Sequence, residues 1–102
     1  MELGIKDDPC VLRLLSRRSL KPETELNYLK GIAHFCGFAG LSPSEVVERA
    51  KGLGEEGLVE WFREFFIAKK DVLAPKTLWN FTMGVKALLI ENGVKAVDRV
   101  SR

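Results

Sequence analysis

A chain of 102 residues, 46% hydrophobic and 29% charged, has room for one packed core but not two, and is too apolar to be disordered. Glu2, Lys6, Asp7 and Asp8 argue against a signal peptide, and no apolar run approaches the ~20 residues of a membrane span, so the expectation is a single cytoplasmic domain over residues 1–102. Cys10 and Cys36 are too few for a disulfide scaffold, are expected to be free thiols, and with the single histidine, His34, give no metal-ligand spacing, so no cofactor is expected.

The hydrophobic spacing is helical nearly throughout. Asp8-Pro9 reads as an N-cap followed by proline at the first helical position, opening a helix to about Arg17 with Val11, Leu12, Leu14 and Leu15 for its buried face. A second helix begins at Pro22 and ends near Phe38, with Gly40 as a left-handed cap. Ser42-Pro43-Ser44-Glu45 is a capping box opening a short helix to about Lys51, after which Gly52, Gly54 and Gly57 break the chain. The fourth helix, about Glu56 to Lys70, places Leu58, Trp61, Phe62, Phe65 and Phe66 on one stripe. The fifth begins at Pro75 and stops before Gly93, and 94–102 reads as a short, mostly polar tail or linker.

No segment alternates with a two-residue period between turns, so no sheet is expected. The fold class is therefore all-α: a small orthogonal bundle of four main helices plus one short extra helix. One rough echo stands out. Lys21-Pro22-Glu23-Thr24-Glu25-Leu26-Asn27 resembles Ala74-Pro75-Lys76-Thr77-Leu78-Trp79-Asn80 in the placement of Pro, Thr and Asn, although proline at the first helical position is common.

Charge is unevenly distributed. Residues 11–30 carry Arg13, Arg17, Arg18, Lys21 and Lys30 against Glu23 and Glu25, and residues 69–102 are also basic, whereas residues 45–64 hold six glutamates against three cations. If the two basic stretches meet, they form a face suited to phosphates. On a helical wheel the second helix gathers Leu26, Tyr28, Leu29, Ile32, Ala33, Phe35 and Cys36 on one arc. Glu23, Asn27, Lys30 and His34 lie opposite with Gly31 beside them: a solvated strip, or a surface for nucleic acid on which Gly31 lets the backbone come close. The fifth helix has a core stripe of Leu78, Phe81, Val85, Leu88 and Leu89. Its second strip, Trp79, Met83, Lys86 and Ile90, with Lys76, Asn80 and Ala87 alongside, reads either as a second packing face or as a mix of donors and apolar groups suited to a major groove. His34 has no nucleophile or carboxylate close by in its own helix, Cys36 lies nearly opposite it, and Gly52-Leu53-Gly54 is a linker rather than a phosphate loop.

Thr24, Tyr28, Ile32 and Phe35 (T-x3-Y-x3-I-x2-F), with Leu73-Ala74-Pro75-Lys76-Thr77-Leu78 and then Val85-Lys86-Ala87-Leu88, resemble the two signature helices of the core-binding (SAM-like) domain of tyrosine recombinases of the phage-integrase family, archaeal members most of all. The resemblance covers about residues 10–93. It implies two crossed helical hairpins forming half of a C-shaped clamp on DNA, with a separate C-terminal catalytic domain as the other half. It also implies that the second and last main helices face the major groove through Asn27, Lys30, Gly31 and His34, then Lys76, Asn80, Met83 and Lys86. The family's catalytic Arg, basic partner, His-x-x-Arg motif and nucleophilic Tyr are not present in that arrangement: His34 is followed by Phe35-Cys36-Gly37, and the only tyrosine, Tyr28, belongs to the core arc. Residues 39–57 are longer than the usual link, and the last helix lacks the family's run of arginines.

The expected function is a double-stranded DNA-binding module, not itself an enzyme, that positions a recombinase on its site. Arg17, Arg18, Lys21, Asn27, Lys30, His34, Lys76, Asn80 and Lys86 are its candidate DNA contacts. Its expected partners are duplex DNA, a catalytic domain and other recombinase subunits, with no membrane and no small-molecule substrate. The alternative is a helical protein-interaction module docking through Trp79, Met83 and Ile90.

Overall fold

The computed structural model describes residues 2–95 and residue 97. A 3₁₀ turn, Glu2–Asp7, precedes five α-helices: α1 (Pro9–Arg17), α2 (Pro22–Ala39), α3 (Pro43–Gly52), α4 (Glu55–Lys69) and α5 (Pro75–Glu91). No strand occurs among the described residues, so the fold is all-α. The local reasons are legible. All four prolines stand at the first position of a helix, where a fixed φ is pre-set and the missing N–H costs nothing. Ser42 and Glu45 close a reciprocal capping box at α3, and Gly40 ends α2 at φ 70°, a left-handed turn that side chains disfavour.

The core forms around α4. Phe35 of α2 is 1% exposed and meets the rings of Phe38, Trp61, Phe62 and Phe65 at centroid separations of 5.6, 4.9, 5.7 and 5.0 Å. Edge-on and tilted contacts of this kind set the positive rim of one ring against the negative face of the next. Val46, Val47 and Ala50 of α3 and Val11 and Leu14 of α1 complete the interior. Burial pushes the Cys36 thiol up to about 12, with the charge of Asp8 adding to it. Three expectations need correction. Leu12 and Leu26 are each 51% exposed, because the stripes that α1 and α2 bury are narrower than their apolar content. Val94 and Val97 are buried in the core, so the expected polar tail begins with packed residues, while residues 96 and 98–102 of it lie outside the described residues.

The two long helices, α2 and α5, share the most extensive contact in the molecule. A Cβ placed on Gly31 would lie 2.5 Å from the carbonyl oxygen of Phe81, and one placed on Gly84 would lie 2.7 Å from the Cα of Tyr28. Gly31 therefore meets α5 just before its midpoint, at Phe81, while Tyr28, one turn earlier on α2, meets Gly84, one turn later on α5. The helices run antiparallel, backbone against backbone. The contact is reciprocal, and so is the sequence: Pro22, Thr24, Asn27, Tyr28, Gly31 and Ile32 are answered 53 positions later by Pro75, Thr77, Asn80, Phe81, Gly84 and Val85. Even the entries match, with N-caps Lys21 and Ala74 at φ −66° and −65° and both at ψ 151°. An antiparallel pair with equivalent residues in equivalent contacts is related by a local two-fold axis passing between the helices. The neighbours partly follow it: α1, which precedes α2, packs on α5, and α4, which precedes α5, reaches α2.

Candidate nucleic-acid interface

On the outer side of this helix pair lies an open groove of about 310 Å³, lined by Thr24, Asn27, Tyr28, Trp79, Asn80 and Met83. The glycine contacts explain it. Bringing two backbones together leaves a furrow beside the contact line, walled by side chains of both helices. Asn27 and Asn80, dyad equivalents, are both exposed, and neither amide has a hydrogen-bond partner in the protein among the described residues. Trp79 is 53% and Met83 39% exposed. None of the six glutamates of residues 45–64 lines the groove.

The expected contact residues fall into two groups. Lys30 and Lys76 are exposed and sit one helical turn from Asn27 and Asn80 on the same helices, which makes them surface neighbours of the two amides. His34, a turn beyond Lys30, is half-buried and stacks on Phe81 with centroids 4.9 Å apart. The second group lies elsewhere. Arg17 and Arg18 at the end of α1 both bind Glu91 at the end of α5, through Nε–oxygen separations of 3.2 and 2.7 Å. Glu91 lies fifteen residues beyond Lys76 on α5, about 22 Å along the axis at ~1.5 Å per residue. Lys21, exposed at the N-cap of α2, belongs to that same end of the pair, because the helices are antiparallel.

Lys86 departs from its expected place. It is only 7% exposed; its stem is packed and its ammonium stands 5.7 Å from the centre of the Trp79 ring. Burial lowers its pKa from the ordinary lysine value. Its charge is directed at an indole face, an arrangement that holds Trp79 in place. Gly31 lies against the neighbouring helix and Ala87 is buried in the core, neither of them on an open strip. The close approach that Gly31 permits is made by the backbone of Phe81. The second strip of α5 divides: Lys86 packs within the chain, while Trp79, Met83 and Ile90 stay exposed.

Sequence reasoning did not assign Thr24 or Tyr28 to this surface. The signal that could have found them was the mid-helix glycine of each long helix, Gly31 and Gly84, at the same distance from the opening proline.

The geometry defines a small all-α module with a neutral, amide-bearing groove flanked by lysines. Among the described residues no group of three His, Cys, Asp or Glu is placed to hold a metal ion, and no helix is long and apolar enough to cross a membrane. No family model, no curated protein and no solved structure matches the chain.

Proposed function

We propose that this chain is a double-stranded DNA-binding module that positions a site-specific recombinase on its target, the chemistry being supplied by a separate catalytic domain. The observation that carries the reading is the groove. Two unpartnered amides from distant parts of the chain stand together between exposed lysines, on the two helices that resemble the major-groove helices of the recombinase core-binding domain. Amides offer a donor and an acceptor to a base edge, and lysines neutralise phosphates.

The test is titration of duplex DNA at increasing salt. With about two phosphates neutralised by Lys30 and Lys76, which flank the amides, log K should fall against log[salt] with a slope of about −2. Affinity should be on the order of 10⁻⁴–10⁻⁶ M, since half a clamp lacks the avidity of the whole. Lys30→Ala or Lys76→Ala should flatten the slope by about one unit. Lys86→Ala should lower stability instead, because its stem is buried. Absence of binding at ~20 mM salt, where the phosphate term is strongest, overturns the reading.

A second reading has its own observation. Trp79, Met83 and Ile90 form an exposed apolar strip along α5. Such a strip suits docking of a partner protein, and a chain that ignores DNA at low salt would favour it.

A further inference from the structure

We infer that the α2–α5 face reads two A·T base pairs whose adenines lie on opposite strands, Asn27 taking one adenine and Asn80 the other. The inference rests on the DNA-binding reading above and adds what that reading leaves open, the bases recognised and their symmetry.

Three observations lead to it. The first is the chemistry of the lining. Every residue on the groove wall is uncharged, and the two amides are the groups best able to bond a base edge bidentately. An amide matches adenine, which presents an acceptor at N7 and a donor at N6; guanine presents two acceptors and is met by arginine or lysine, which the wall does not contain.

The second is symmetry. Asn27 and Asn80 are equivalents under the local two-fold axis set by the Gly31–Phe81 and Gly84–Tyr28 contacts. One flanking apolar pair obeys the same relation: Leu26 and Trp79 are equivalents, and they are 51% and 53% exposed. Duplex DNA has two-fold axes of its own, perpendicular to the helix and exchanging its strands. A two-fold protein surface seated in the major groove aligns with one of them, as dimeric repressors do on palindromic sites. Equivalent side chains then meet equivalent bases on opposite strands.

The third is where the symmetry stops. The equivalents of Lys30 and Lys76 are Met83 and Glu23. The phosphate-binding charges are therefore one-sided while the amides are paired. The two-fold relation governs base reading, and the lysines choose which way round the module sits.

Binding of three labelled duplexes of equal length and identical G·C clamps, followed by fluorescence anisotropy, tests this. One carries an alternating A-T tract with adenines on both strands, one a homopolymer tract with adenines on a single strand, and one an alternating G-C tract. The wild type should bind the alternating A-T duplex at least about fivefold more tightly than the homopolymer, and about twenty-five-fold more tightly than the G-C duplex. Asn27→Ala and Asn80→Ala should each lose the preference for alternating over homopolymer DNA, since one adenine then suffices, while still favouring A·T over G·C. Both positions are exposed, so the variants should keep the wild-type melting temperature.

If the alternating preference survives in both variants, the protein is reading the shape of the tract and the inference is overturned. Equal binding of all three duplexes with a normal salt slope also overturns it, and leaves the DNA-binding reading standing. Binding of none overturns both.

Discussion

Three glycines interrupt the two long helices, at positions 31, 37 and 84. They share a helical penalty of about 1 kcal/mol against alanine but differ in surroundings. Gly31 and Gly84 press on the backbone of the partner helix, where an added Cβ has nowhere to go, whereas Gly37 has nothing within 4 Å of its own. Gly31→Ala and Gly84→Ala should therefore each destabilise by about 1–3 kcal/mol, because the helices must separate to admit a methyl group. Gly37→Ala should stabilise by about 0.5–1 kcal/mol through helix propensity alone. Urea denaturation of the three variants checks this, and a neutral Gly31→Ala would mean that the helices do not touch. The same contact explains why a helical wheel misplaced Gly31, and burial in the folded chain does so for Lys86 and Ala87. A wheel separates apolar from polar residues, but it cannot know which small or amphipathic residues the rest of the fold will cover. Lys86 reads as a free cation in sequence because nothing local announces the burial of its stem.

Helix limits were far more legible than helix neighbours. Proline, serine, aspartate and glycine act within four residues of themselves, so their consequences can be read without knowing the fold. What those caps touch in three dimensions could not be read. Asp8, expected only as the N-cap of α1, also joins α1 to α3. One of its oxygens accepts from the Cys10 N–H at 2.8 Å and the Ser44 hydroxyl at 2.6 Å, and the other accepts from the Ser44 N–H at 3.1 Å. Asp8→Ala should cost about 2–3 kcal/mol, a lost cap plus lost hydrogen bonds to a carboxylate, and Asp8→Asn less because the amide can still cap. Chemical denaturation decides; a loss under ~0.5 kcal/mol would show the junction to be idle.

The other junction, α1 to α5, is held by Asn92, which donates to the carbonyls of Cys10 and Leu88, and by Glu91 with its two arginines. The hydrogen bond from Arg18 holds the Glu91 carboxyl below its ordinary value, opposed by partial desolvation and helped by the charges of Arg18 and Arg17. A carboxyl whose folded pKa is depressed stabilises the fold above its unfolded pKa, and that contribution disappears as pH falls through the folded value. Glu91→Gln should therefore be less stable than wild type at pH 7, and the gap should close as the pH falls from about 4.5 toward 2. A gap independent of pH would show that the carboxylate charge plays no part.

The five helices assemble two distant stretches of sequence into one face, and this was legible only in part. Asn27 and Asn80 line one groove, with exposed Lys30 and Lys76 one turn away on the same helices, while Arg17 and Arg18 lie at the far end of the helix pair, tied to Glu91. The opening Pro, Thr and Asn of α2 and α5 were visible as an echo. Their continuation through Tyr28 and Phe81 to Gly31 and Gly84 gained meaning only once the helices were seen to cross at those glycines.

The antiparallel seating of α2 and α5 has an electrical consequence. Each helix carries a macrodipole equivalent to about half a positive charge at its N-terminus and half a negative charge at its C-terminus. Laid head to tail, the two nearly cancel: the start of α2 neighbours the end of α5, and the reverse holds at the opposite end. The face between them has almost no backbone field along its length, so its potential is written by side chains alone. Lys30 and Lys76 outweigh Glu23 and make it positive, the neutral groove wall leaves that sign undisturbed, and a single charge reversal at either lysine would redraw the field over the whole face.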